Sequence, residues 1–106
     1  MAGMNFEREA AEEALSRLLQ EDESTRGLYI RSYGKHLILG REEPWGPNGE
    51  LEKDDRVRLT RLNATTYGLS VRRHTGRWEK TPFSGTMEDL VEVIQSLMQH
   101  LVAPWG

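Results

Sequence analysis

The segment from Thr86 to Leu101 constrains the fold of this chain more than any other. Its large apolar residues recur at steps of three and four, which places them along one stripe of a helix: Met87, Leu90, Val91, Ile94, Leu97, Met98 and Leu101. Thr86 can cap the first turn, Asp89 can complete a capping box, and Pro104 blocks continuation. The pattern predicts a helix over 86–102. Because its stripe is apolar, this helix needs a partner surface to cover it.

A second helix is predicted at the other end of the chain, over 5–22. Asn5 can serve as its N-cap, and the residues between Asn5 and Gly27 change from helical periodicity to a turn-forming, charged run. The apolar side of this helix is expected to contain Phe6, Ala10, Ala14, Leu15, Leu18 and Leu19. Much of that side is alanine, so close packing against a neighbour is expected.

Between the two helices the apolar residues alternate with a period of two, which is typical of strands covered on one face. The alternation predicts a sheet over 28–83, and the inward residues are Leu28, Ile30, Leu37, Leu39, Val57, Leu59, Tyr67, Leu69 and Val71. A flexible loop is expected over 42–55, since that stretch holds two prolines and two glycines around Trp45. Pro82 favours an edge or an end position for the last strand.

These elements predict one α+β domain over residues 1–106. Its architecture is a two-layer antiparallel meander of about five strands, in the order α-β-β-β-β-β-α, because short turns join neighbouring strands. Both terminal helices are expected to pack on the single apolar face of the sheet. A chain of 106 residues has room for one core of this kind.

Composition and charge narrow the functional classes. The net charge of −3 is unevenly distributed, since residues 1–25 and 81–106 are acidic whereas residues 26–80 carry nine Arg and three Lys against seven acidic residues. The chain has no cysteine, which excludes disulfides and Cys-based zinc sites. No apolar run is long enough for a membrane span, and the N-terminus is acidic where a signal peptide is basic. A cytoplasmic protein without membrane contact is therefore predicted.

The sequence contains no catalytic constellation. His36, His74 and His100 are widely separated, and no GxSxG elbow, P-loop or GxGxxG segment is present. We therefore predict a non-enzymatic protein with no catalytic residues, no metal ligands and no cofactor. A small enzyme built on unmatched residues is the alternative, and its sign is a cleft that joins His36 or His74 to a carboxylate.

The outward positions of the predicted strands combine arginine with tyrosine. The predicted partner-binding residues are Tyr29, Arg31, Tyr33, Arg56, Arg58, Arg72 and, in the loop, Trp45. Arginine and aromatic residues are enriched in protein interfaces, so we expect binding to another protein or, as a homodimer, to a second copy. Single-stranded nucleic acid is the alternative partner, since cations and rings suit phosphates and bases. A face that is merely solvated would have the same composition.

Overall fold

The computed structural model describes the backbone of residues 2–105 and the side chains of residues 8–105. Helix α1 (Ala2–Gln20) precedes a five-stranded sheet, and helix α2 (Met87–Leu97) and the short helix α3 (Gln99–Val102) follow it. The strands are β1 (Tyr29–Tyr33), β2 (His36–Glu43), β3 (Glu52–Arg61), β4 (Tyr67–Arg72) and β5 (Trp78–Gly85). All neighbouring strands are antiparallel and lie in chain order. The predicted α+β meander is confirmed.

The core lies between the helices and one face of the sheet. Cross-strand pairs on this face join Leu39 to Val57 and Leu59 to Leu69. The buried side chains come from both layers: Leu15, Leu19, Leu28, Leu37, Leu39, Val57, Leu59, Tyr67, Leu69, Met87, Leu90, Val91, Ile94, Met98 and Val102. The period-two alternation therefore predicted the covered face correctly, with Ile30 and Val71 only partly buried at its margins.

A buried polar contact ties the end of α1 to α2. The hydroxyl of Thr25, which is fully buried, donates to the Leu19 carbonyl at 2.8 Å. The Gln95 amide donates to the same hydroxyl at 3.1 Å and to the Leu18 carbonyl at 3.3 Å. These bonds satisfy carbonyl groups that the end of a helix leaves unpaired, and they hold the two helices side by side.

The helix boundaries differ from the predicted ones. The capping box of Thr86 and Asp89 is present, but the helix predicted over 86–102 breaks at Met98, whose backbone lies outside the helical region. The break turns α3 toward β3 and buries Val102, whereas Leu97 is 61 % exposed and lies outside the core. At the other end, α1 begins at Ala2, so Asn5 is within the helix and is not its N-cap.

The apolar side of α1 is narrower than the sequence suggests. Ala10 and Ala14 are exposed, and Ala11, Leu15, Leu18 and Leu19 face the core instead. The side chain of Phe6 lies outside the described side chains.

The connection between β2 and β3 is shorter than the predicted loop over 42–55. The strands continue to a pair between Glu43 and Glu52, which leaves residues 44–51 as the connection. The connection makes its own hydrogen bonds: Gly46 N–H donates to the Glu50 carbonyl at 3.1 Å, and Asn48 N–H donates to the Glu50 carboxylate at 2.7 Å. Four residues assigned to the loop, 52–55, are therefore part of β3 and carry side chains of the candidate site.

Candidate functional site

The sheet face opposite the helices is not covered by any element of the described chain. We call it the open face. The strand register places these residues on it: Tyr29, Arg31, Tyr33, His36, Ile38, Lys53, Asp55, Arg58, Thr60, Ser70, Arg72, Trp78 and Lys80. Five of the seven residues predicted to bind a partner lie here, and the other two, Arg56 and Trp45, lie elsewhere.

Asp55 organises one end of the open face. The Tyr29 hydroxyl donates to its Oδ1 at 2.5 Å, and Arg31 donates from Nε to Oδ1 at 3.1 Å and from Nη2 to Oδ2 at 2.5 Å. Arg72 Nη1 lies at 3.5 Å from Oδ2, a weaker contact. Three predicted residues are thus brought together, and the carboxylate that joins them is one that the sequence interpretation had assigned to a loop.

Gly40 makes this cluster sterically possible. It is the cross-strand neighbour of both Tyr29 and Asp55, so the tyrosine ring crosses it to reach the carboxylate. A Cβ at this position would overlap the Tyr29 hydroxyl and the Asp54 carbonyl. A glycine inside a strand pattern often marks such a close approach, and this is the sequence signal that could have located the cluster.

Burial and hydrogen bonding within this cluster shift the pKa values of Asp55 and Tyr29. Burial raises the pKa of the Asp55 carboxyl, but the hydrogen bonds from Arg31 and Tyr29 outweigh burial and hold this pKa below its usual value. Burial first, and then the hydrogen bond to Asp55, raise the pKa of the Tyr29 phenol well above its usual value. Tyr29 therefore remains a neutral donor to an ionised carboxylate. The arrangement favours a fixed structural cluster over proton transfer.

Arg58 lies at the centre of the open face in a different environment. Its guanidinium carbon stands 4.7 Å from the centre of the Trp78 ring, within cation–π distance. Arg58 Nε is the buried side-chain nitrogen that lacks a hydrogen-bond partner within the described part of the chain. Beneath this layer, Ile38 and Ser70 are only 4 % exposed, so the long side chains of the open face cover its floor. Trp78, at the start of the edge strand β5, is therefore a member of this surface.

Tyr33 and His36 form the end of the open face next to the β1–β2 turn. Tyr33 is 69 % exposed, and it faces its cross-strand neighbour His36. His36 Nδ1 lies at 2.8 Å from the Thr60 hydroxyl. Burial, and then the positive charges of Arg58 and Lys35, lower the pKa of the His36 imidazole below its usual value. A neutral ring at this end leaves the positive charge of the face to arginine and lysine.

The predicted outward position of Arg56 is wrong. The register between β2 and β3 shifts after the pair of Leu39 with Val57, because the next pair joins Gly40 to Asp55 and leaves Arg56 as an extra residue. Such a bulge turns two successive side chains to the same side of the sheet. Arg56 therefore lies on the helix side, where it is 3 % exposed.

On the helix side, Arg56 binds the C-terminal segment. Its Nη1 donates to the carbonyl groups of Leu101 at 3.0 Å and Ala103 at 2.7 Å, and Nη2 donates to the Glu43 carboxylate at 2.7 Å. The Trp105 ring stacks on the guanidinium with a separation of 3.5 Å. The Glu43 carboxylate also accepts a hydrogen bond from the backbone N–H of Trp105 at 2.9 Å. These contacts make Arg56 part of the structural framework, since its donors are directed into the protein.

Trp45 lies at the end of the molecule, in the connection between β2 and β3, and is 49 % exposed. It borders a cleft of about 620 Å³ that the β4–β5 turn and the C-terminal segment also line. The lining residues are Trp45, Asp54, Asp55, Arg56, Val71, Arg72, Arg73, His74, Gly76, Leu101 and Trp105. His74 thus shares a cleft with two carboxylates, but both carboxylates are hydrogen-bonded to arginine.

The described residues contain neither a metal-binding cluster nor a membrane-spanning helix. No group of three or more His, Asp or Glu residues in this part of the chain is placed to hold a metal ion. No helix among the described residues is long and apolar enough to cross a membrane.

Comparison of the chain with known protein families, with curated proteins and with solved structures finds no match.

Proposed function

We propose that this chain is a non-enzymatic interaction domain that binds another protein through the open face and the Trp45 end. The observation that carries the proposal is the Arg58–Trp78 pair on the open face, whose opposite edge strand carries the 69 % exposed Tyr33. Arginine, tryptophan and tyrosine are the residues most enriched among those that dominate binding energy in protein interfaces. All the described helices lie on the opposite face and leave this one available.

Charge favours an acidic partner surface. Arg58, Lys80 and Arg72 lie on the open face. Of the acidic residues there, Asp55 is already neutralised by Arg31, and Glu42 lies opposite Lys53. Complementary charge on a partner would raise the association rate and set its orientation. Arg58 is half-buried on the open face, and its Nε has no hydrogen-bond partner among the described residues, in contrast to the paired donors of Arg56.

The test compares two variants of the whole chain as baits. The first combines Tyr33→Ser, Arg58→Gln and Lys80→Gln, which change the open face without touching Tyr29, Arg31 or Asp55. The matched control combines Arg17→Gln, Leu97→Ser and Gln99→Ala on the exposed sides of the helices. With the bait well below its Kd, where the captured amount is proportional to affinity, we expect the first variant to lose about 90 % of partner capture, which corresponds to a tenfold loss of affinity. Unchanged capture by a folded open-face variant would contradict the proposal.

A second copy of the chain is the simplest protein partner, and light scattering tests it directly. A molar mass near twice that of the chain, which the open-face variant reduces to the monomer value, would identify a homodimer. A monomer for both variants would direct the search to a different protein. The proposal places this partner in the cytoplasm, a location compatible with a chain that has no cysteine.

Single-stranded nucleic acid is the second candidate, favoured by the same rings and cations. Bases would stack on Tyr33 and Trp78 while Arg58 and Lys80 contact phosphates. This function predicts that affinity for a mixed oligonucleotide falls steeply as salt increases, because phosphate contacts release counterions. Absence of binding at low salt would exclude it, and binding that the open-face variant retains would place the contact elsewhere.

A further inference from the structure

Half of β3 has a strand partner on one edge only. On the β2 side, pairs run from Glu43 with Glu52 to His36 with Thr60, but on the β4 side they begin only at Val57 with Val71. β4 ends at Arg72 and the chain turns toward β5, with Arg73 N–H donating to the Arg77 carbonyl at 2.8 Å. Within residues 2–105, no strand lies beside residues 52–56 on this side.

The unpaired edge of β3 borders the cleft described above. The lining of the cleft includes Asp54, Asp55 and Arg56 from this edge. An edge with unpaired N–H and C=O groups is a template for an added strand, and peptide recognition often uses it. A cleft of about 620 Å³ beside such an edge has the size of a ligand site.

The two sides of the cleft differ in chemistry. The helix side contains apolar groups from Val71, Leu101 and Trp105, and Trp105 is 55 % exposed. The open-face side contains the guanidinium of Arg72, the cross-strand neighbour of Trp78 on that face. Because side chains alternate along a strand, a peptide in this position would direct every second residue to each side.

The acidic residues of the edge do not oppose a negatively charged peptide. The Asp54 carboxylate accepts a hydrogen bond from Arg56 Nε at 2.5 Å, and the Asp55 carboxylate accepts hydrogen bonds from Arg31 and Tyr29. Within the described part of the chain, Arg72 has one ion-pair contact, at 3.5 Å with Asp55. Arg72 therefore supplies the positive charge of the open-face side of the cleft.

We propose that an extended segment of a partner protein adds as a sixth strand along residues 52–56, with apolar side chains against Trp105 and Trp45 and a carboxylate toward Arg72. The proposal rests on the function proposed above, in that it names a partner and a mode of binding. A second copy that adds at this edge is a separate outcome, which the light-scattering measurement described above would detect as a dimer.

The probe is a capped hexapeptide, acetyl-Leu-Glu-Phe-Glu-Val-Glu-amide, titrated to about 1 mM into the ¹⁵N-labelled chain. We expect shifts of the backbone amides of residues 52–56 and of the Trp45 and Trp105 indole N–H groups. Methylating alternate backbone nitrogens of the peptide should weaken binding at least about tenfold, because two or three hydrogen bonds are lost while every side chain is kept. A peptide with Lys in place of Glu should also bind more weakly.

Two protein variants sharpen the test. Trp45→Ala should weaken the peptide about tenfold, as expected for an aromatic anchor. Leu51→Ala, in the same connection and 62 % exposed, should leave it unchanged. No shift within residues 52–56, or equal binding by the methylated peptide, would overturn strand addition. Shifts confined to Tyr33, Arg58 and Lys80 would overturn it while supporting the proposed open-face function, so the two failures are distinguishable.

Discussion

Arg56 and Arg58 are two residues apart on one strand, yet they have opposite roles. Arg56 is 3 % exposed on the helix side, where carbonyl and carboxylate oxygens accept from its guanidinium. Arg58 lies on the open face against Trp78, and its Nε lacks a partner among the described residues. The comparison shows that an arginine contributes to structure when its donors are already paired. It is a candidate for recognition when they are not.

The physical origin of the difference is the bulge at Arg56. Strict alternation gives residues 56 and 58 the same direction, since side chains repeat every two residues. The extra residue shifts this phase, so the strand before the bulge directs Asp54 to the helix side and Asp55 to the open face. A single inserted position therefore separates a buried structural cluster from an exposed surface.

The largest loss of stability is expected for Arg56→Ala. The substitution removes the Arg56 guanidinium from the buried Glu43 carboxylate and releases the C-terminal segment, so we expect a loss of about 3–5 kcal/mol in the free energy of unfolding. Chemical denaturation measures the loss. Arg58→Ala is the matched control, with an expected loss of about 1 kcal/mol or less from its packing. Equal losses for the two variants would show that the assignment of roles is wrong.

A smaller effect is expected for Gly40→Ala. A Cβ would overlap the Tyr29 hydroxyl and the Asp54 backbone, and overpacking of this kind costs about 1–3 kcal/mol. The Tyr29 hydroxyl should move away from Asp55, which nuclear magnetic resonance shifts of the tyrosine ring can detect. Gly68→Ala is the control, since its Cβ would meet Leu62 only at ordinary contact distances of 3.6 Å or more. The prediction fails if the two alanines are equally tolerated.

Asp55→Asn is expected to cost about 1–2 kcal/mol near neutral pH, because the charge-assisted bonds from Arg31 and Tyr29 are weakened and Arg31 is partly exposed. The cost should depend on pH. The depressed pKa of Asp55 means that its contribution is present above the unfolded-state value and is lost as the pH falls through the folded-state value. Denaturation at about pH 7 and about pH 3 should therefore show the difference shrinking in acid. A constant difference would contradict the assignment.

The smallest effect on stability is expected for Arg58→Gln, at about 0.5 kcal/mol or less. This variant distinguishes the role of Arg58 from that of Arg56, because we expect it to lower partner binding more than stability. Thermal melting measures the effect on stability, and the capture assay measures the effect on partner binding. If Arg58→Gln unfolds the domain as readily as Arg56→Ala does, Arg58 is a structural residue and the open face loses its principal anchor.

Several parts of the structure could be predicted because they depend on local patterns. The stripe of Leu90, Val91 and Ile94 and the capping box at Thr86 follow from residue spacing, and both are present. The break at Met98 could not be predicted, since it depends on where α3 meets Arg56 of a distant strand. The candidate site was predicted in part: Tyr29, Arg31 and Arg72 lie together, but Asp55 was missed because a loop was expected there.

The meander with one apolar face follows from the amino-acid sequence alone, because the alternation and the helical spacing of apolar residues are properties of neighbouring residues. The sequence also determined which residue types an uncovered face would present. The position of the bulge in β3, where the alternation of side chains shifts by one residue, depends on the tertiary structure. The burial of Arg56, the hydrogen bonds of Asp55 and the unpaired edge of residues 52–56 depend on it as well. These features depend on how strands of unequal length pair with one another, and the energy of that pairing comes from contacts between residues far apart in the chain.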